Sequence, residues 1–352
     1  VTAIFGRPLN PVLARELKER MRGRRAAVVL TLYLLLLTGV LYLAYRGHAG
    51  SDTGAFEGPI ATEVAAIGEA IFEWVLFFML LLVLFLVPGL TSGAIAGERE
   101  RQTLVPLQVT LLRPLSILMG KVGASIAFIV LLLVASLPLL AVAYLIGGVN
   151  IGEVGGALAA VLAVALGLAC LTAACSAFLR RVQTATVLAY GLVLMMVIGT
   201  LLMYAAFSLV DRDLTRQPGE DRPGKPVLLF NPLLAVADVV GSDEGDAAAS
   251  PFDPLHSMIH EGEDEQFVPA GGEIQIQPAP NVAETIVIEG DGNFVQVDPG
   301  PIVPQDVIDD PVVRPDEGTP FWVASYGVLA LLALLAMALG SRRLRTPAKV
   351  ER

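Results

Sequence analysis

Few residues of this 352-residue chain stand in patterns that could do chemistry. The densest is Glu98-Arg99-Glu100-Arg101, four alternating charges set directly after a long apolar run. That turn holds no nucleophile and no proton shuttle. Its chemistry is ion pairing, of the kind that docks one protein surface on another. His256 and His260 form a second group, four residues apart beside Glu261, Glu263, Asp264 and Glu265. On one helical face, two imidazoles at that spacing could hold a metal ion. Gly262 and the acidic run favour a solvated loop instead, so no metal site is expected and the two histidines are only candidates. Cys170 and Cys175, five apart in one apolar stretch, exclude a disulfide framework and a four-cysteine zinc site, and read as packing residues. The Gly120-Lys121 pair is followed by Val122 and has Leu115 where a phosphate-cradling P-loop needs its first glycine. Without a nucleotide loop or a catalytic constellation, the chain does not read as an enzyme.

The elements that must position these residues are almost all apolar. The chain is 55% hydrophobic and 16% charged, with mean hydropathy +0.67, whereas soluble domains carry about 25% charged residues. Six stretches lack Lys, Arg, Asp and Glu: Ala26–Tyr45, Trp74–Ala96, Val122–Gly148, Val154–Leu179, Val182–Val210 and Phe321–Ser341. Each reaches the roughly 20 residues that a helix needs to cross a hydrocarbon core of about 30 Å. The expected fold is an all-α membrane protein with six transmembrane helices, amphipathic cytoplasmic helices, and an acidic external loop containing a small β element. The first run is too long, and follows too much basic chain, to be a removable signal peptide.

Charge assigns the sides. The net charge of −10 is sorted rather than scattered: segments 1–25, 97–121, 180–181 and 342–352 carry +13, and segments 46–73, 149–153 and 211–320 carry −23. Lys and Arg are retained on the cytoplasmic side. Both termini are therefore expected in the cytoplasm, in a multi-pass protein of the plasma (inner) membrane. The resulting organisation is a cytoplasmic helix in 1–25, spans one to five in 26–210, an extracytoplasmic acidic segment over 211–320, span six at 321–341 and a basic tail over 342–352.

Within that frame, Asn10-Pro11 suits a helix start, and Leu13, Leu17 and Met21 recur at four-residue steps beside Arg15, Glu16, Lys18 and Arg22. This predicts an interfacial helix. Leu104, Leu107, Leu111 and Leu115 predict another within 97–121. Pro88 and Pro138 should interrupt spans two and three. Gly152, Gly156, Ala160 and Ala163 put small residues on one face of span four, where helices can approach closely. No span carries a charge in its middle, which disfavours an ion-coupled carrier and suits a lipid-like cargo better than a bare ion. Outside, Val227–Gly241 is too short to cross and should dip into the interface. Ser242–Gln266 should be flexible. Glu284–Glu289 and Asn293–Asp298, around Gly290-Asp291-Gly292, read as a hairpin.

Gly97-Glu98-Arg99-Glu100-Arg101-Gln102-Thr103-Leu104, with Gly120-Lys121 entering the next span, resembles the permeases of the type 2 ABC exporter family. The opening Asn10-Pro11-Val12-Leu13-Ala14-Arg15-Glu16-Leu17 and the six-span plan are similar to theirs too. The resemblance implies a coupling helix in 97–121 against a separate ATPase subunit, with Glu98, Arg99, Glu100, Arg101, Thr103 and Leu104 as the transmitting residues. It implies that the helix bearing Arg15, Glu16 and Lys18 flanks the same contact. It also implies that ATP and Mg²⁺ sit on the ATPase, that a second permease copy or paralogue completes the pathway, and that lipid rather than nucleic acid surrounds the chain. Gln102 departs from the family pattern, where many members have Gly, and Pro106 falls inside the expected helix. Two rival readings are a membrane-anchored assembly or sensing protein with an acidic external segment, and an ion-coupled secondary carrier.

Overall fold

A computed structural model describes residues 24–49, 60–102, 114–211, 225–240, 250–260, 287–288, 294–295 and 320–345. The chain divides into two compact units, 1–262 with 320–352, and 263–319. In the first unit the helices are α1 (Arg24–Ala49), α2 (Ile60–Thr91), α3 (Ala96–Glu100), α4 (Pro114–Ile146), α5 (Ile151–Phe178) and α6 (Val182–Leu194). A π-helical turn, Met195–Gly199, joins α6 to α7 (Thr200–Asp211). Then follow α8 (Lys225–Leu228), α9 (Pro232–Val240), α10 (Asp253–His260) and α11 (Phe321–Arg345). In the second unit, β1 (Val287–Ile288) and β2 (Phe294–Val295) pair antiparallel, Val287 opposite Val295 and Ile288 opposite Phe294. These short strands fall within the two segments read as hairpin arms.

Among the described residues, six helical stretches are long and apolar enough to cross a membrane: Ala26–Gly47, Val64–Glu100, Leu115–Ile146, Ile151–Phe178, Val182–Leu209 and Phe321–Leu344. Spans two and four are the most buried, and spans one, five and six present broad apolar faces outward. Leu32, Leu35, Leu43, Leu202 and Leu334 lie on those faces. In water such a surface would be an aggregation liability; in lipid it is the solvated side.

Several boundaries differ from the sequence reading. Pro88 and Pro138 lie inside continuous helices rather than interrupting them. Near Pro88, whose ring removes one ladder donor, the Tyr190 hydroxyl of α6 donates to the Phe85 carbonyl at 3.0 Å. Helix α2 begins well before Trp74 and carries Glu73 into the bundle, 3% exposed and with Oε2 lacking a hydrogen-bond partner. Leu115 belongs to the first turn of span three, not to a surface helix. On span four, Gly152 and Gly156 face open space, while close packing comes deeper, where Leu329 of α11 lies against Gly167. The turn between spans three and four uses Gly147 and Gly148 at φ 116° and 83°, against Ala65 of α2. Side chains at those dihedrals would be strained.

The end of the bundle away from Glu98 is capped by α8, α9 and α10. Residues 232–237 are all buried. Asp238 Oδ2 accepts from the Trp322 amide at 2.8 Å in the first turn of span six, and Ser325 Oγ donates to the Leu229 carbonyl at 2.8 Å. Helix α10 falls in the segment expected to be flexible. It starts from a local cap, in which Asp253 accepts from the Ser250 amide (2.7 Å) and Ser250 Oγ accepts from the Phe252 amide (3.0 Å). Phe252, 1% exposed, then packs edge-on against Phe77 of α2. Burial of that ring holds a helix that the acidic composition around it concealed.

Candidate functional site

The charged turn is built by a break in span two. After Thr91 the chain makes a turn over 92–95 before α3 resumes the helix. The amides of Ile95 and Ala96, at the start of α3, both donate to Ser176 Oγ of α5, at 3.1 and 3.0 Å. The Thr91 and Thr172 hydroxyls meet one turn away, and Ser92 Oγ lies 2.9 Å from Thr186 Oγ1 of α6. Hydroxyls usually serve in membrane bundles as interhelical contacts, and here they seat the turn on spans four and five.

Three of the four charges are then bonded to other parts of the chain. Glu98 Oε1 pairs with Nζ of Lys121 at 3.1 Å, and Lys121 is buried in span three. Arg99 donates through Nη1 to the Leu179 carbonyl (2.7 Å) and through Nη2 to that of Ala177 (3.2 Å). The final carbonyls of a helix have no partner of their own, and a cation there also suits the helix dipole. Glu100 Oε1 accepts from the Val182 amide at 2.8 Å, the mirror arrangement at the N-terminus of α6. Arg101 is exposed at the tip. The Arg101 amide closes on Gly97 O and that of Gln102 on Arg99 O, each at 3.1 Å.

Gln102 adopts φ 57°, the left-handed conformation that ends helices and normally falls to glycine. Helix α3 therefore ends at Glu100 and span three begins by Pro114, while Leu104, Leu107 and Leu111 of the helix expected within 97–121 lie outside the described residues.

The arrangement has no bond-making chemistry. One five-residue helix is bonded to the ends of spans three, four and five while remaining the end of span two. Glu98, Arg99 and Glu100 are brought together there, with Arg101 beside them. Thr103 and Leu104, and the helix carrying Arg15, Glu16 and Lys18, lie outside the described residues. His256 and His260 do share a helix, α10, contrary to the loop expected for them. Among the described residues, no group of three or more His, Cys, Asp or Glu side chains is placed to hold a metal ion. Sequence reasoning missed Lys121, Ser176 and the Ala177–Val182 corner. Only Lys121, a charge at the start of an apolar run, carried any signal.

Six apolar spans around a charged intramolecular joint define a multi-pass membrane protein of transporter type. The sequence model of the ABC-2 family transporter proteins matches residues 11–242, and the chain belongs to that family. It is thus a membrane permease, without catalytic activity of its own; ABC-2 permeases generally pair with an ABC ATPase. No curated protein matches the chain.

Proposed function

We propose that this chain is the membrane-spanning subunit of an ATP-driven exporter, working as a dimer with a second permease and two copies of a separate ATPase subunit. ATP and Mg²⁺ bind the ATPase, and closure of that subunit presses on the turn at Glu98–Arg101. One observation carries the reading: the Glu98, Arg99 and Glu100 contacts tie the turn to three spans at once. A push on Arg101 reaches Lys121, Leu179 and Val182 through charged hydrogen bonds, which are the stronger kind. The spans tilt together and the pathway opens on the far side.

The basic segments support placing this end of the bundle, and both termini, in the cytoplasm. The weak polarity of the spans favours an apolar, lipid-like cargo. The test is first whether a neighbouring reading frame encodes a P-loop ATPase, and then co-expression with that subunit. The two subunits should co-purify with ATP turnover stimulated by lipid. Glu98→Ala and Glu100→Ala should each lower transport and weaken the association. Normal transport and assembly in both variants would remove the coupling role.

A further inference from the structure

Span five contains a π-helical turn, Met195–Gly199. A π turn is an α-helix with one residue too many, and it leaves backbone carbonyls that need outside partners. Within the span, Thr200 Oγ1 donates to the Met196 (2.7 Å) and Val197 (3.2 Å) carbonyls, and the partner from outside it comes from the reverse turn before α9. Asn231, fully buried, donates through Nδ2 to the Val197 carbonyl (3.1 Å) and to Thr200 Oγ1 (3.0 Å). Its other amide atom, Oδ1, accepts from the Leu233 amide at 2.9 Å and caps α9. A carbonyl cannot donate and a peptide N–H cannot accept, so these neighbours fix which way the amide points. One side chain therefore joins the start of α9 to the bulge of span five.

The bulge sets the rotation of everything beyond it. Each residue of an α-helix turns the chain by roughly 100°. With the extra residue at Met195–Gly199, Leu201, Tyr204 and Ser208 face the bundle, and Leu202, Met203 and Phe207 face outward. Tyr204 packs with Leu228, Leu234 and Ile259 from α8, α9 and α10. If the extra residue moved along the span, a neighbouring stripe would take that place. Helix α9 is also tied to span six through Asp238–Trp322, so the position of span six bears on Asn231.

We propose that Asn231 is a positioning residue for transport: its side-chain amide pins the π bulge of span five and thereby fixes the rotation of Thr200–Asp211. When spans five and six separate, the amide leaves Val197 and the bulge is released to migrate, turning the far half of span five. The role concerns the permease alone and stands apart from the ATPase coupling proposed above, because the experiment uses no ATPase.

The decisive variant is Asn231→Asp. Ionised, as the alkaline limb of a pH series ensures, it keeps the Oδ1 acceptor that caps α9 and replaces the donor to Val197 with a second acceptor. Spin labels placed singly at positions 201 to 208 of the full chain in lipid vesicles report oxygen accessibility. With Asn231 the protected positions should be 201, 204 and 208; with Asn231→Asp, protection should move by one residue, a phase change of roughly 100°. An unchanged phase would overturn the proposal, since capping alone survives in Asp. Deleting Ile198 removes the extra residue, so Asn231→Asp in that background should show the original phase. If Asn231→Asp alone cannot be recovered, recovery of this deletion variant with the original phase supports the proposal. Failure of both overturns it.

Discussion

Lys121 Nζ lies 3.1 Å from Glu98 Oε1, and the lysine side chain is 6% exposed against 27% for the glutamate. The cation is thus the partner that water cannot easily recover. Glu98→Ala should destabilise the chain by about 2 kcal/mol, the scale of a charged hydrogen bond lost at a partly buried site. Lys121→Met combined with Glu98→Leu removes both charges and should regain most of that loss. Thermal unfolding midpoints in one detergent compare the variants. A double variant as unstable as Glu98→Ala would mean that the pair is not the source.

Arg99 and Arg101 are two residues apart and should behave oppositely. Arg99 spans two carbonyls, which a lysine ammonium cannot match with the same fork, so Arg99→Lys should lower stability by about 1 kcal/mol. Arg101→Ala removes an exposed charge and should change stability by less than about 0.5 kcal/mol. It should nevertheless reduce recovery of the ATPase in a pull-down. Equal effects of the two variants on both measurements would deny any division of labour.

Gln102→Gly should stabilise the chain by about 1 kcal/mol, because a left-handed residue with a Cβ is strained. Gln102→Val, β-branched at the same dihedral, should destabilise it. Both are read from unfolding midpoints, and a neutral glycine variant would contradict the left-handed backbone.

Phe252→Ala should release α10 from the bundle, with a local loss of about 3 kcal/mol. Limited proteolysis of intact vesicles should then cut between residues 241 and 262 faster than in the parent chain. An unchanged cleavage rate would show that the ring does not anchor the helix.

Topology has a direct test. A reporter fused at Thr346 should read as cytoplasmic, and one inserted near Ser250 as external. The reverse assignment would invert the coupling scheme along with the orientation.

The six spans and the charge cluster at Glu98–Arg101 were legible because hydropathy and charge are local properties of sequence. What the charges bind was not: Lys121 lies 23 positions from Glu98, and the Leu179 carbonyl 80 from Arg99. Three of the four bonded groups are main-chain atoms, which leave no trace in residue identity. Glu73 was hidden by taking the edge of the charge-free run as the edge of the span, although helix α2 runs on past it. Helix α10 was obscured by its acidic surroundings, since a single buried ring, Phe252, outweighs them. The π turn had no signal at all. Met195-Met196-Val197-Ile198-Gly199 reads like any apolar helix, and its carbonyls are met by the Thr200 hydroxyl and by Asn231, from a distant turn.

Asp238 and Trp322 are 84 positions apart in sequence yet meet in one hydrogen bond of 2.8 Å. That clasp makes the two feet of the intervening chain adjacent, whatever lies between them. Doubling the length of a closed loop costs only about 0.6 kcal/mol. The permease therefore holds a socket whose contents beyond α10 can be lengthened, shortened or exchanged by inheritance with little effect on the helices that carry it.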